Sequence, residues 1–280
     1  MLSFVERLRA SQRAQDSLLC IGLDPALDRV MAAVGNEKDP APAVLAFNKA
    51  IIEATSDLVC AYKPNLAFYE ALGAEGWHVL AETIRLVPEP VLVIGDAKRG
   101  DVGHTSVAYA QALFDICGFD AVTVSPYLGR DSLQPFLSRP DRGAFILCRT
   151  SNPGARDFQD LIVLEENSRP RPLYQVVAER VAKWNEAGNC GLVVGATYPA
   201  EILSVRQLAP DLPLLIPGVG AQAGDLAAAV QAGVNAAGEL AVINSSRQII
   251  YASSGADFAL AARRAASDLR DRINAIRRAR

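Results

Sequence analysis

Eight short apolar runs punctuate the chain, at residues 18–24, 58–63, 91–96, 121–125, 143–149, 190–197, 213–217 and 240–244. They show little of the polar–apolar alternation of a half-exposed strand, so each predicts a strand buried on both faces. The stretches between them carry the period of amphipathic helices. Residues 43–55 set Val44, Phe47 and Ile51 on one stripe, and 106–117, 174–186 and 221–232 read likewise. No Pro/Gly/Ser-rich linker divides the chain. The pattern therefore predicts one α/β domain over residues 1–280: a single (β/α)8 TIM barrel with an N-terminal helix and a long loop, 152–172, after strand five. The alternative is a doubly wound open sheet. Its usual GxGxxG after the first strand is missing, since the chain has Gly22-Leu23-Asp24-Pro25 there.

Composition narrows the function classes. Half of the 280 residues are apolar and 21% are charged, which suits a sizeable core and excludes disorder. The net charge of −3 provides no basic field to recruit nucleic acid or an acidic membrane. No apolar run is long enough to span a bilayer. The first fifteen residues carry Glu6, Arg7, Arg9 and Arg13 without the apolar core of a secretory signal. Cys20, Cys60, Cys117, Cys148 and Cys190 are scattered without CxxC spacing, predicting reduced thiols and a cytoplasmic protein. A terminal helix over 257–280 ends in Arg277, Arg278 and Arg280, cations that suit its dipole. With only His78 and His104, there is little material for a histidine-rich metal site or a Ser-His-Asp triad, so neither metal nor cofactor is expected.

A barrel places its chemistry at the C-terminal ends of its strands. Strand two ends in Lys63-Pro64-Asn65, and strand three in Asp96-Ala97-Lys98-Arg99-Gly100-Asp101. Strand alternation turns Asp96 and Lys98 to one side, within reach of Lys63 on the adjacent strand. Asp101 follows at the strand-to-helix turn, with Thr105 about one helical turn further on. An Asp-x-Lys-x-x-Asp pattern alone is equally a solvated turn. Its delivery by a buried apolar run to the active face, where charges are desolvated and need partners, favours function.

Two later loops suggest a phosphorylated ligand. Pro217-Gly218-Val219-Gly220-Ala221-Gln222 follows strand seven, and Asn244-Ser245-Ser246-Arg247 follows strand eight. Loops in these positions commonly form a barrel's phosphate site, with glycines permitting close backbone approach and arginine supplying a charged fork.

Taken in order, these motifs resemble the orotidine 5′-monophosphate decarboxylase family along nearly the whole chain, most closely its second bacterial subgroup. The resemblance implies that Asp24 contacts ribose, that Lys63 and the 96–105 signature with Thr105 form the reaction centre, and that Ser151 meets the pyrimidine. It further implies that Gly220, Gln222 and Arg247 grip the phosphate. By the same token it implies metal-free loss of CO2 from orotidine 5′-monophosphate to give UMP, the last step of de novo pyrimidine synthesis. Lys98 would stabilise the carbanion and donate the proton, held charged by Asp96 and Asp101, while Lys63 balances the excess negative charge. A homodimer is implied as well, in which Asp101 and Thr105 reach the neighbouring subunit's site. The 152–172 loop is longer than in the compact branch of the family, and Ser246 stands where a glycine often precedes the arginine.

Three other readings use the same residues. A class I aldolase needs a deprotonated barrel lysine, which two flanking carboxylates disfavour. A metal-dependent sugar-phosphate lyase or aldolase shares Asp-x-Lys-x-x-Asp but wants a carboxylate at the end of strand two, where this chain has Lys63. A non-catalytic nucleotide-binding barrel would not need the complete Lys-Asp-Lys-Asp set.

Overall fold

The protein is described here by a computed structural model covering residues 2–35, 39–166, 169–219 and 225–279. Eight parallel strands form a closed barrel: β1 (Leu19–Leu23), β2 (Ala61–Pro64), β3 (Leu92–Arg99), β4 (Ala121–Val124), β5 (Gly143–Arg149), β6 (Cys190–Val194), β7 (Leu214–Pro217) and β8 (Ala241–Ser245). Every strand lies between its neighbours in sequence, and β8 closes onto β1 in a register pairing Leu19 with Ile243 and Ile21 with Ser245. All eight apolar runs are therefore strands of one barrel, and the open doubly wound sheet is excluded.

The continuous apolar runs follow from burial on two faces. Cys20, Ala61, Leu92, Ile94, Ala121, Phe145, Val193, Leu215 and Val242 point inward and fill the barrel. Their chain neighbours Leu19, Ile21, Val93, Val122, Ile146 and Ile243 pack outward with the surrounding helices. The helix Phe4–Ala14, opened by a reciprocal Ser3–Glu6 capping box, closes the N-terminal end of the barrel. Phe4 meets Phe145 edge-to-face at 5.8 Å, and Ser11 Oγ donates to the Cys60 carbonyl at 2.8 Å. With that end plugged, the open mouth is at the C-terminal ends of the strands.

The helix expected over 221–232 is Leu226–Gly233, residues 221–224 lying outside the described residues, and local structure departs from the sequence pattern elsewhere as well. β3 runs to Arg99 rather than ending at Asp96, with its register against β4 shifting between Gly95 and Arg99. The helix expected over 106–117 starts at Gly103 and its last turn, Gln111–Ile116, widens to π geometry. In its described residues the loop after β5 carries local structure rather than being irregular throughout. It holds a 3-10 turn (Pro153–Asp157) and a two-stranded antiparallel ribbon joining Ile162–Val163 to Arg171–Pro172. The terminal helix is Phe258–Arg278. Among the described residues no helix is long and apolar enough to cross a membrane. All five cysteines are free, and only Cys117 is partly exposed.

Candidate active site

Asp96 is the centre of a charged cluster at the barrel mouth. Lys63 Nζ donates to its Oδ2 at 2.9 Å and Lys98 Nζ to its Oδ1 at 2.6 Å. Lys63, on β2, is 4% exposed, whereas Lys98 reaches into the mouth with half of its side chain accessible. Burial disfavours charge on both members of the inner pair, but each outweighs that effect for the other. Asp96 is held far below the usual carboxylate range by Lys63 and Lys98, and Lys63 is raised by Asp96 and Asp24. Asp96 is therefore an anion, and Lys63 a cation, at neutral pH.

Alternation predicted that Asp96 and Lys98 would meet, and they do, by a different route. Lys98 lies in the left-handed region at φ 48°, inside the irregularity of β3, so its side chain is brought to Asp96 by a local distortion. Asp101 does not join the cluster within the chain. Its Oδ1 accepts the N–H of Val102 at 2.7 Å, and Thr105 sits in the first turn of the helix that follows.

Beside the cluster is a cavity of about 350 Å³, whose lining includes Asp24, Lys63, Asp96, Ser151, Gly218 and Arg247. Four strand ends beyond β2 and β3 thus contribute to one space. Asp24 is placed by Tyr251, whose hydroxyl accepts the Ala26 N–H at 2.6 Å and donates to the Asp24 carbonyl at 3.0 Å. Gly22, two residues before, makes room for β8: a Cβ there would lie 1.8 Å from Ser246 Oγ. Ser151 approaches β6 because residue 195 is glycine, where a Cβ would come within 2.8 Å of the Ser151 backbone nitrogen. The β5 loop carrying Ser151 is closed at its base. Arg149, 3% exposed in its side chain, donates to Asp160 Oδ2 at 3.0 Å, and the Thr150 N–H donates to Gln159 Oε1 at 2.8 Å.

Arg247 is exposed at the cavity rim and forms no ion pair among the described residues. Gly220 and Gln222, the other residues expected at the phosphate, lie outside the described residues. Two buried acceptors in the cavity, Asp24 Oδ1 and Asn244 Oδ1, have no hydrogen-bond partner among the described residues. Such groups are costly unless a ligand or water answers them, so the cavity is chemically suited to a molecule rich in hydroxyl or N–H donors. Asn65, just after β2, and Asn244, on β8, also line the cavity, and neither carries a charge that singles it out in the sequence. Asn244 has the inward parity of Val242, which would have found it. Among the described residues no three His, Cys, Asp or Glu side chains converge as a metal site.

The chain also matches known proteins along nearly its whole length. The sequence profile described as "Orotidine 5'-phosphate decarboxylase / HUMPS family" matches residues 17–262. The chain is similar to the orotidine 5'-phosphate decarboxylase of Herpetosiphon aurantiacus, at 55% identity over 94% of this chain and 95% of that one. It is similar to the enzyme of the same name from Thermomicrobium roseum, at 54% identity over 99% and 97%. Among solved structures, the OMP decarboxylase of Leishmania donovani superposes with a TM-score of 0.84 at 44% identity, covering 99% of both chains.

Proposed function

The chain belongs to the orotidine 5'-phosphate decarboxylase / HUMPS family and decarboxylates orotidine 5′-monophosphate to UMP and CO2 in pyrimidine biosynthesis; we propose that it does so by direct, metal-free stabilisation of a carbanion with Lys98 as the proton donor. The observation that carries this reading is the Lys63–Asp96–Lys98 chain of contacts at the mouth of the barrel.

The reaction breaks the bond between C6 of the pyrimidine and its carboxylate, leaving the electron pair on a carbon that no adjacent carbonyl can delocalise. A preorganised cation is the direct remedy, because fixed charge acts best where charge develops in the transition state. Lys98 is that cation. CO2 departs first, the Lys98 proton then moves to the electron pair left on C6, and the neutral amine regains a proton from solvent. Asp96 orients Lys98 and stands next to the departing carboxylate. Two unit charges 4 Å apart at an effective dielectric of about 20 repel by roughly 4 kcal/mol, which CO2 loss relieves. Lys63 balances the negative charge and, with Asp24, binds ribose hydroxyls. Ser151 meets the pyrimidine, and Gly220, Gln222 and Arg247 hold the phosphate.

Lys63 also separates this reading from the sugar-phosphate branch, because it occupies the position where a metal-dependent lyase would want a carboxylate. The test is to add orotidine 5′-monophosphate and follow loss of the orotate absorbance with release of CO2. We expect exhaustive chelation to leave the rate unchanged. Loss of activity in EDTA with recovery in Mg²⁺ would instead favour the sugar-phosphate reading.

We further propose that the 1–280 domain works in the cytoplasm as a homodimer in which Asp101 and Thr105 serve the partner's site. This is supported by the turn at Asp101–Val102, where Asp101 is half-buried and Val102 57% exposed, and by the apolar hollow between Tyr127, Leu147, Phe158 and Leu173. Lys98→Ala and Asp101→Ala proteins should each be nearly inactive. Refolding an equal mixture should return about a quarter of wild-type activity, because half of the dimers are mixed and one of their two sites is intact. Mixed dimers that form and recover nothing would refute the shared site.

A further inference from the structure

Thr123 lies on β4 with 1% of its surface exposed, between Val122 and Val124. A hydroxyl is out of place in that β-branched apolar run, where a valine of the same shape would pack equally well. Its bonds explain its presence. Thr123 Oγ1 donates to Asp96 Oδ1 at 2.9 Å and accepts the backbone N–H of Lys98 at 3.0 Å. One side chain thus grips two residues of β3 at once, using its only proton on one and a lone pair on the other.

Those two residues need an external hold. The register of β3 against β4 shifts between Gly95 and Arg99, so regular strand pairing does not position Lys98. Its left-handed backbone, at φ 48°, is unfavourable for a residue with a Cβ and persists only where surroundings enforce it. The N–H of Lys98 donates to the Thr123 hydroxyl. The same hydroxyl also fixes the Asp96 oxygen to which Lys98 Nζ donates.

We infer that Thr123 is a positioning residue for the decarboxylation, locking the Lys98 backbone and the Asp96 carboxylate into one rigid unit that presents the Lys98 ammonium at a fixed place. The inference rests on the roles proposed above for Asp96 and Lys98. It predicts a loss confined to the chemical step, because displacement of a reacting group by about 1 Å can cost on the order of 100-fold, while the ribose and phosphate contacts are made by other residues.

The experiment compares Thr123→Val, Thr123→Ala and Thr123→Ser in steady-state turnover of orotidine 5′-monophosphate, UMP binding and thermal unfolding. We expect Thr123→Val and Thr123→Ala to lower kcat by roughly 10- to 100-fold, with KM and the UMP dissociation constant within about threefold. Thr123→Ser, which keeps the hydroxyl, should restore kcat to within about threefold of wild type. The inference is overturned if Thr123→Val retains full kcat, or if Thr123→Ser loses as much as Thr123→Val. It is equally overturned if UMP binding falls in step with kcat. Should both hydroxyl-free variants fail to fold while Thr123→Ser folds, the hydroxyl is a folding determinant and the positioning role falls. A Lys98→Ala control separates the two levels: an active Lys98→Ala removes the proposed mechanism, whereas an inactive Lys98→Ala beside a normal Thr123→Val removes only the role of Thr123.

Discussion

Replacing Lys98 by alanine should lower kcat by about 10⁴-fold or more, because one substitution removes both the cation facing the carbanion and its proton donor. UMP binding should persist within about threefold. The 350 Å³ cavity keeps Asp24, Lys63, Ser151 and Arg247 in place, and the product has no carboxylate for Lys98 to meet. Removing Lys98 also leaves Asp96 paired with Lys63 at 2.9 Å, so the variant retains a compensated buried carboxylate and should fold. Turnover by the absorbance assay and UMP affinity by calorimetry decide the matter together. A variant turning over within tenfold of wild type takes Lys98 out of the chemistry. One that loses UMP along with turnover makes it a structural residue.

Arg247→Ala should cut kcat/KM for orotidine 5′-monophosphate by about 10²-fold or more, while barely changing the slow turnover of orotidine, which lacks the phosphate. A charged hydrogen-bonded contact of this kind is commonly worth 2 kcal/mol or more. Interaction energy at a remote group is also what organises a site around its reacting carbon. Arg247 is free to take this role because it stands at the cavity rim with no carboxylate partner among the described residues. Kinetics on the two substrates give the answer. An equal loss on both contradicts a phosphate-specific role and assigns Arg247 to the architecture of the β8 end.

The barrel was legible because its strands are buried on both faces, which leaves unbroken apolar runs at each of the eight positions. Its irregularities were less so. The π turn at Gln111–Ile116 occupies a segment whose periodicity is that of an ordinary helix. At the site, Lys63, Asp96 and Lys98 were found together from their place on adjacent strands. Lys98's left-handed backbone was hidden, since no glycine or asparagine marks it and the constraint comes from Thr123 on another strand. Tyr251 was equally invisible. It acts on Asp24 across 227 positions of sequence, through a hydrogen bond that no local pattern announces. The described residues after β5 are held by pairs distant in sequence, Arg149–Asp160, Thr150–Gln159 and the ribbon of 162–163 with 171–172, which no periodic pattern announces.

That closure also insulates one part of the chain from another. Arg149–Asp160 and Thr150–Gln159 tie off a short ring containing Ser151, while the ribbon of Ile162–Val163 and Arg171–Pro172 lies outside it. Residues added or lost beyond Asp160 alter a hairpin that leaves and returns on the far side of the knot. The cost of closing a longer loop grows only slowly with its length. The barrel can therefore accept a longer or shorter excursion without moving the serine at its root, which uncouples the length of this segment from the geometry of the active site.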